Sequence, residues 1–168
     1  MAELDIQISV EEGDWPSEEQ LQALAERVLG TAAAYLKKQE KQPFPKIAPE
    51  LSLVFTDDAS IRQINAEWRS QDKATNVLSF PAFPLQPGGK PGPMLGDIII
   101  ARETVEREAT DLEKSFDDHL THLMVHGFLH LFGYDHMNNG EAERMEGLET
   151  RILAELGLSD PYAGQDPI

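Results

Sequence analysis

The run LDIQISV (Leu4–Val10) alternates apolar and polar residues. That two-residue period predicts an edge or half-buried strand. The period then changes. After Pro16, the apolar residues Leu21, Leu24, Ala25, Val28, Leu29, Ala32 and Leu36 fall three and four apart on one stripe, which predicts a helix reaching about Gln39. Ser17 with Gln20 three residues later is the capping-box pattern that starts such a helix. The polar, proline-broken stretch KKQEKQPFPK interrupts, ELSLVF (Glu50–Phe55) predicts a second strand, and Thr56-Asp57-Asp58 opens a second helix through Trp68. NVLSF (Asn76–Phe80) and GDIIIA (Gly96–Ala101) predict the third and fourth strands. Between them Pro81–Pro93 is so rich in proline and glycine that only a long loop fits, either functional or mobile. Three helices follow, over Arg102–Thr110, Phe116–Phe132 and Glu141–Leu156, and residues 157–168 read as a frayed tail.

This order, strands and helices mixed and then helices alone, predicts a single domain over residues 1–168. It is of α/β (α+β) class, with one small four-stranded sheet packed by helices. Composition agrees: 168 residues with 40% hydrophobic and 26% charged describe an ordinary soluble globular protein. The start, MAELDIQISVEEGDW, is not patterned as a signal peptide and no apolar run approaches a membrane span. A cytoplasmic protein with no membrane partner is expected. With no cysteine, disulfide frameworks and cysteine-based zinc sites are excluded. Charge changes the picture more. Fourteen basic against 30 acidic residues give −16, which argues against coating nucleic acid with the whole surface and leaves room only for a local basic patch.

All five histidines lie between His119 and His136, and HGFLHLFGYDH (126–136) has an informative spacing. On a helix, His126 and His130 project from one face a turn apart. Gly133 can take a left-handed conformation, end the helix and let the chain bring His136 back to the same point. Three converging imidazoles are the ligand set of an open zinc site, in which one position stays free and a bound water can drop to a pKa near ~7. A closed structural site needs a fourth ligand, and His122, one turn before His126, is the obvious competitor. A packing or supporting role behind the site is the better reading of His122, and a surface or packing role that of His119. Asp135 divides evenly between orienting a ligand and holding a turn. Met145, Leu148 and Ile152 fall at helical spacing and read as core.

The histidine spacing is that of the metzincin zinc proteases, H-E-x-x-H-x-x-G-x-x-H, but their catalytic glutamate position is Gly127 here. The metal scaffold is present without the peptidase base, so peptide hydrolysis is not expected. HGFLHLFGYDH, with Asn65, WRSQDKATNVLSFP (Trp68–Pro81) and LGDIII (Leu95–Ile100), closely resembles the YbeY family, in order from roughly Leu51 to Met145. The resemblance implies a small mixed sheet packed by helices, with one Zn2+ held at one end by His126, His130 and His136. It implies a metal-dependent, single-strand-specific endoribonuclease of 16S rRNA 3′-end maturation and ribosome quality control, in which the zinc-binding histidines and Arg69 are catalytic. The implied partners are single-stranded RNA, an rRNA precursor and the ribosome or its proteins; no DNA is expected. Arg69 offers a planar, permanently charged fork suited to phosphate, although alone it would pass for an exposed helix-end charge. RNA carries its own nucleophile, the 2′-OH, so a missing protein base matters less than for a peptide. Asn76, Ser79 and Asp97 read as structural ends of strands and turns. Lys37, Lys38, Lys41 and Lys46 form a local basic cluster, ordinarily a solvated face and here a candidate for RNA backbone contact. The reading from another class is a ribosome-assembly binding factor whose zinc is structural, with His122 in the fourth position.

Overall fold

The computed structural model describes residues 4–162. The elements run β1 (Asp5–Val10), α1 (Glu18–Gln39), β2 (Glu50–Thr56), α2 (Asp58–Arg69), β3 (Val77–Pro81), β4 (Met94–Ala101), α3 (Arg102–Asp111), α4 (Phe116–Leu131) and α5 (Asn139–Glu155). The four strands form one sheet in the order β1-β2-β4-β3. β1 and β2, and β2 and β4, pair parallel, whereas β3 pairs antiparallel with β4, so the sheet is mixed. β1 lies at one edge and β3 at the other.

The pairings follow from which side chains must be hidden. On the central strand β4, Ile98 and Ile100 enter the main core, and Ile99 and Ala101 enter a second cluster with Ile61 and Leu78. A strand covered on both faces has no polar alternation, and IIIA is such a run. The main core takes in α1, α4 and α5; the second cluster is sealed by α2 through Ile61 and Ile64. Ser17 caps α1 with the reciprocal Gln20 bonds the sequence calls for, and its stripe is buried except for the partly covered Leu24.

α4 is the centre of the molecule. It is buried on nearly every side from His119 to Leu129, which marks a helix enclosed by neighbours rather than an amphipathic surface helix. Ser115 caps its start, its hydroxyl accepting from the Asp118 amide at 3.1 Å. Past its end, the Gly133 amide donates to His130 O and the Tyr134 amide to Leu129 O. Gly133 has φ +94°, and any side chain there would collide with the Leu85 carbonyl. The long loop after β3 is thus packed against the end of α4.

Residues 157–162 are tied back to α5. Within 157–162, the Leu158 amide donates to Leu153 O at 2.9 Å, and the Tyr162 hydroxyl donates to Glu149 Oε2 at 2.9 Å. The rest of the segment read as frayed, 163–168, lies outside the described residues.

Candidate metal centre

α4 places His126 and His130 one turn apart, and the turn closed by Gly133 returns His136 to them. The ring centroids of His126 lie 4.6 Å from His130 and 5.7 Å from His136, and those of His130 and His136 are 5.2 Å apart. One ligand nitrogen from each ring can be chosen so that all three fall within 4.8 Å of one another. His126 is buried, His130 partly covered and His136 exposed, so the cluster opens to solvent on one side. His126 Nε2 and His130 Nε2 are 3.1 Å apart. A tetrahedral zinc with bonds of ~2.0–2.1 Å separates two ligand nitrogens by about 3.3 Å, so the donor set fits that ion in type, and the His126–His130 pair fits it in spacing. Burial, then the neighbouring His126, push the His130 ring down to about 4. Near neutral pH it is therefore unprotonated, the form that binds a metal.

Behind the rings stands a carboxylate that the sequence reading did not single out. Glu149, on α5, is 1% exposed. Its Oε1 lies 2.8 Å from His122 Nε2 and 3.2 Å from His126 Nδ1. Burial alone would push this carboxyl up, but the hydrogen bonds and charges of His122 and His126 together hold it down at about 2. His122 is thus turned toward Glu149 and is not among the three histidines that converge. It is buried and paired with the carboxylate that also reaches His126. Burial pushes the His122 ring down, toward its neutral form. A cavity of about 170 Å³ lies behind His126 and His136, walled by Met145, Glu149 and Tyr162 among others. Met145 is also part of the main core, as its spacing implies.

On the open side, a groove of about 680 Å³ is lined by Arg69, Ser79, His126, His130, Asp135 and His136, among others. Arg69 is the last residue of α2, and its Nη2 donates to the Ser79 carbonyl at 2.6 Å. Its guanidinium lies 4.7 Å from the Phe80 ring centroid. The turn that follows is held by Asn65, whose Nδ2 donates to Lys73 O. Asp135 accepts from the His136 amide at 2.8 Å, so it shapes the turn and lines the groove at once.

Other candidates resolve as structure. His119, 1% exposed, pairs with Glu108 Oε1 at 2.9 Å and so packs inside rather than at the surface. Asn76 donates to the same Glu108 carboxylate and accepts from the Val77 amide. Of Lys37, Lys38, Lys41 and Lys46, none lines the groove. Gly127 has a reason the metzincin comparison does not contain. A Cβ there would lie 3.0 Å from Ile98 Cγ2 and 3.0 Å from Ser79 Oγ, while Ser79 Oγ donates to Gly127 O. The glycine lets α4 lie close against β3 and β4; its position faces the sheet.

Comparison with known proteins places this arrangement. The family model described as Endoribonuclease YbeY matches residues 6–157. A Rhizobium johnstonii protein named Endoribonuclease YbeY is 80% identical over 166 residues, 99% of this chain and 97% of the relative. One from Agrobacterium fabrum with the same name is 75% identical over 100% of both chains. A solution structure of a Thermotoga maritima protein superposes with TM-score 0.54 over 94% of this chain and 99% of that one, at 22% identity, and bears on the fold alone.

Proposed function

Because this chain belongs to the endoribonuclease YbeY family, we propose that it cleaves single-stranded RNA at a centre of one zinc ion held by His126, His130 and His136. The observation that carries this reading is the convergence of those three rings at the wall of a groove that also contains Arg69. Bound there, zinc would supply Lewis acidity toward the phosphodiester. His126, His130 and His136 contribute neutral nitrogen donors and so leave the charge of the ion undiminished. Arg69 binds the phosphate. Ser79 O and the Phe80 ring hold its guanidinium at the groove, and its remaining N–H groups are available to phosphate oxygens. Arg69 and the ion supply local positive charge in a chain whose balance is −16, which is what an anionic substrate requires here. The cellular role we assign is 16S rRNA 3′-end maturation and ribosome quality control in the cytoplasm, with the ribosome as partner. Among the described residues no helix is long and apolar enough to cross a membrane. His122 is engaged by Glu149 rather than turned to the three rings, so the assembly-factor reading with a closed zinc site gains no support.

The test is single-turnover cleavage of a defined RNA in single-stranded and duplex form, with zinc content measured for each preparation. Zinc-loaded wild type should cleave the single strand, and His130→Ala should not. Cleavage that persists after complete zinc removal would overturn the metal-dependent reading.

A further inference from the structure

Glu149 occupies a core position on α5, beside Leu148 and one turn from Met145 and Ile152, all buried. A carboxylate at such a place costs desolvation that packing alone does not repay, so stability is a weak reason for it. Its three partners define what it does. The Tyr162 hydroxyl donates to Oε2, while Oε1 lies within hydrogen-bond distance of both His122 Nε2 and His126 Nδ1, which donate to it when the ring proton is on that nitrogen. Donation from Nδ1 selects one tautomer of His126, the one whose lone pair is on Nε2. That Nε2 is the atom 3.1 Å from His130 Nε2, inside the three-ring cluster. Oε1 is shared by the two histidines, and the Tyr162 hydroxyl holds Oε2, so the carboxylate cannot turn without losing a bond. The Tyr162 ring in turn packs edge-on against His122, with centroids 5.4 Å apart.

We propose that Glu149, braced by His122 and by Tyr162 of the C-terminal segment, is the positioning residue that presents the Nε2 lone pair of His126 to the metal. The proposal rests on the three-histidine reading of the metal centre. It assigns the buried His122 a function without making it a ligand. It also makes the described residues after α5, up to Tyr162, part of the site, although none of them lines the groove.

The test uses the full chain and zinc alone, without RNA, so that it stands or falls separately from the cleavage reading. Zinc affinity is measured by competition with a chromophoric chelator, and the His126 tautomer by long-range proton–nitrogen NMR of the zinc-loaded protein. Glu149→Gln keeps size and an acceptor oxygen but removes the charge. It should weaken zinc binding about 10- to 100-fold, the usual cost of losing a partner behind a ligand. Tyr162→Phe keeps the ring and removes the hydroxyl, and should weaken binding in the same direction by less. Wild-type affinity with an unaltered His126 tautomer in Glu149→Gln would overturn the proposal. Should that variant not fold, Tyr162→Phe decides, and unchanged affinity there overturns it equally. If wild type binds no zinc at the three histidines, the proposal falls with the metal centre.

Discussion

Two of the carboxylate–histidine contacts along α4 look alike. Near its start His119 meets Glu108 of α3 at 2.9 Å; near its end His126 meets Glu149 of α5 at 3.2 Å. Both rings are buried. In both, hydrogen bonds and the histidine charge hold the carboxyl below its usual range against the burial that would raise it. The difference lies in the second nitrogen. His119 Nδ1 is buried and has no hydrogen-bond partner among the described residues, whereas His126 Nε2 faces two other imidazoles and a groove. The same kind of contact is therefore cross-bracing at one end of the helix and part of the candidate metal centre at the other. A carboxylate–histidine contact is not by itself a functional signature; what decides is where the far nitrogen points.

Ligand removal should separate the two ends most sharply. His126→Ala or His130→Ala should lose zinc by more than the roughly 10–100-fold that an outer partner costs, and His119→Gln should keep wild-type zinc content by elemental analysis. Equal zinc loss in all three would erase the distinction.

Next in size is Arg69→Ala, which probes the groove without touching a ligand. RNA cleavage should fall roughly 10- to 1000-fold, the scale of one charged transition-state stabiliser. Zinc content and melting temperature should stay near wild type, because exposed charges contribute little to stability. Arg69→Lys should recover only part of the rate, since an ammonium lacks the fork. Wild-type single-turnover rates in Arg69→Ala would remove the phosphate role.

Acid should reach the metal side of α4 in two stages. The folded protein holds the His130 ring at about 4, below its ordinary 6.5, so its contribution to stability is full above 6.5 and is lost as pH falls through 4. Burial lowers His122 in the same sense. Glu149, at about 2 against an ordinary 4.5, contributes above 4.5 and is lost as pH falls toward 2. The metal-free protein should therefore lose at most about 3 kcal/mol on account of His130 between pH 6.5 and 4. Denaturant titrations at several pH values would read this; a flat profile over that interval would contradict the burial of the ring.

The smallest effect belongs to the His119–Glu108 pair. Glu108→Gln should cost about 1–3 kcal/mol, the scale of weakening a partner of a buried polar group, and leave zinc affinity unchanged. A shift in zinc affinity would mean that the two ends of α4 are coupled.

What could be read from the sequence divides along the same line. The strands and helices were legible where a period, a cap or an unbroken apolar run marks them: alternation in β1, the Ser17 box on α1, IIIA on the doubly covered β4. The three histidines were legible because helix geometry and one glycine fix their convergence within eleven residues. Glu149 was not singled out, although a signal existed. It is an ionisable residue on the buried stripe of α5, between Leu148 and Ile152, where the pattern demands an apolar one. Tyr162 had no such signal, since its partner is fixed by tertiary packing. Gly127 was legible as a missing base, but its packing against Ile98 and Ser79 needed the sheet to be in place. The Gly127→Glu change that would complete the protease motif accordingly meets β3 and β4 before it could act as a base.

The three histidines also differ in how fast they can let go. His126 and His130 belong to a helix enclosed by the sheet, α1, α3 and α5, where backbone amides open only with large parts of the structure. His136 stands on an exposed turn beyond Gly133, tied locally by the Asp135 carboxylate. An ion held by all three would have two slow anchors and one fast one. Its exchange with solvent would then be timed by the opening of a short turn, ahead of any global unfolding of the protein.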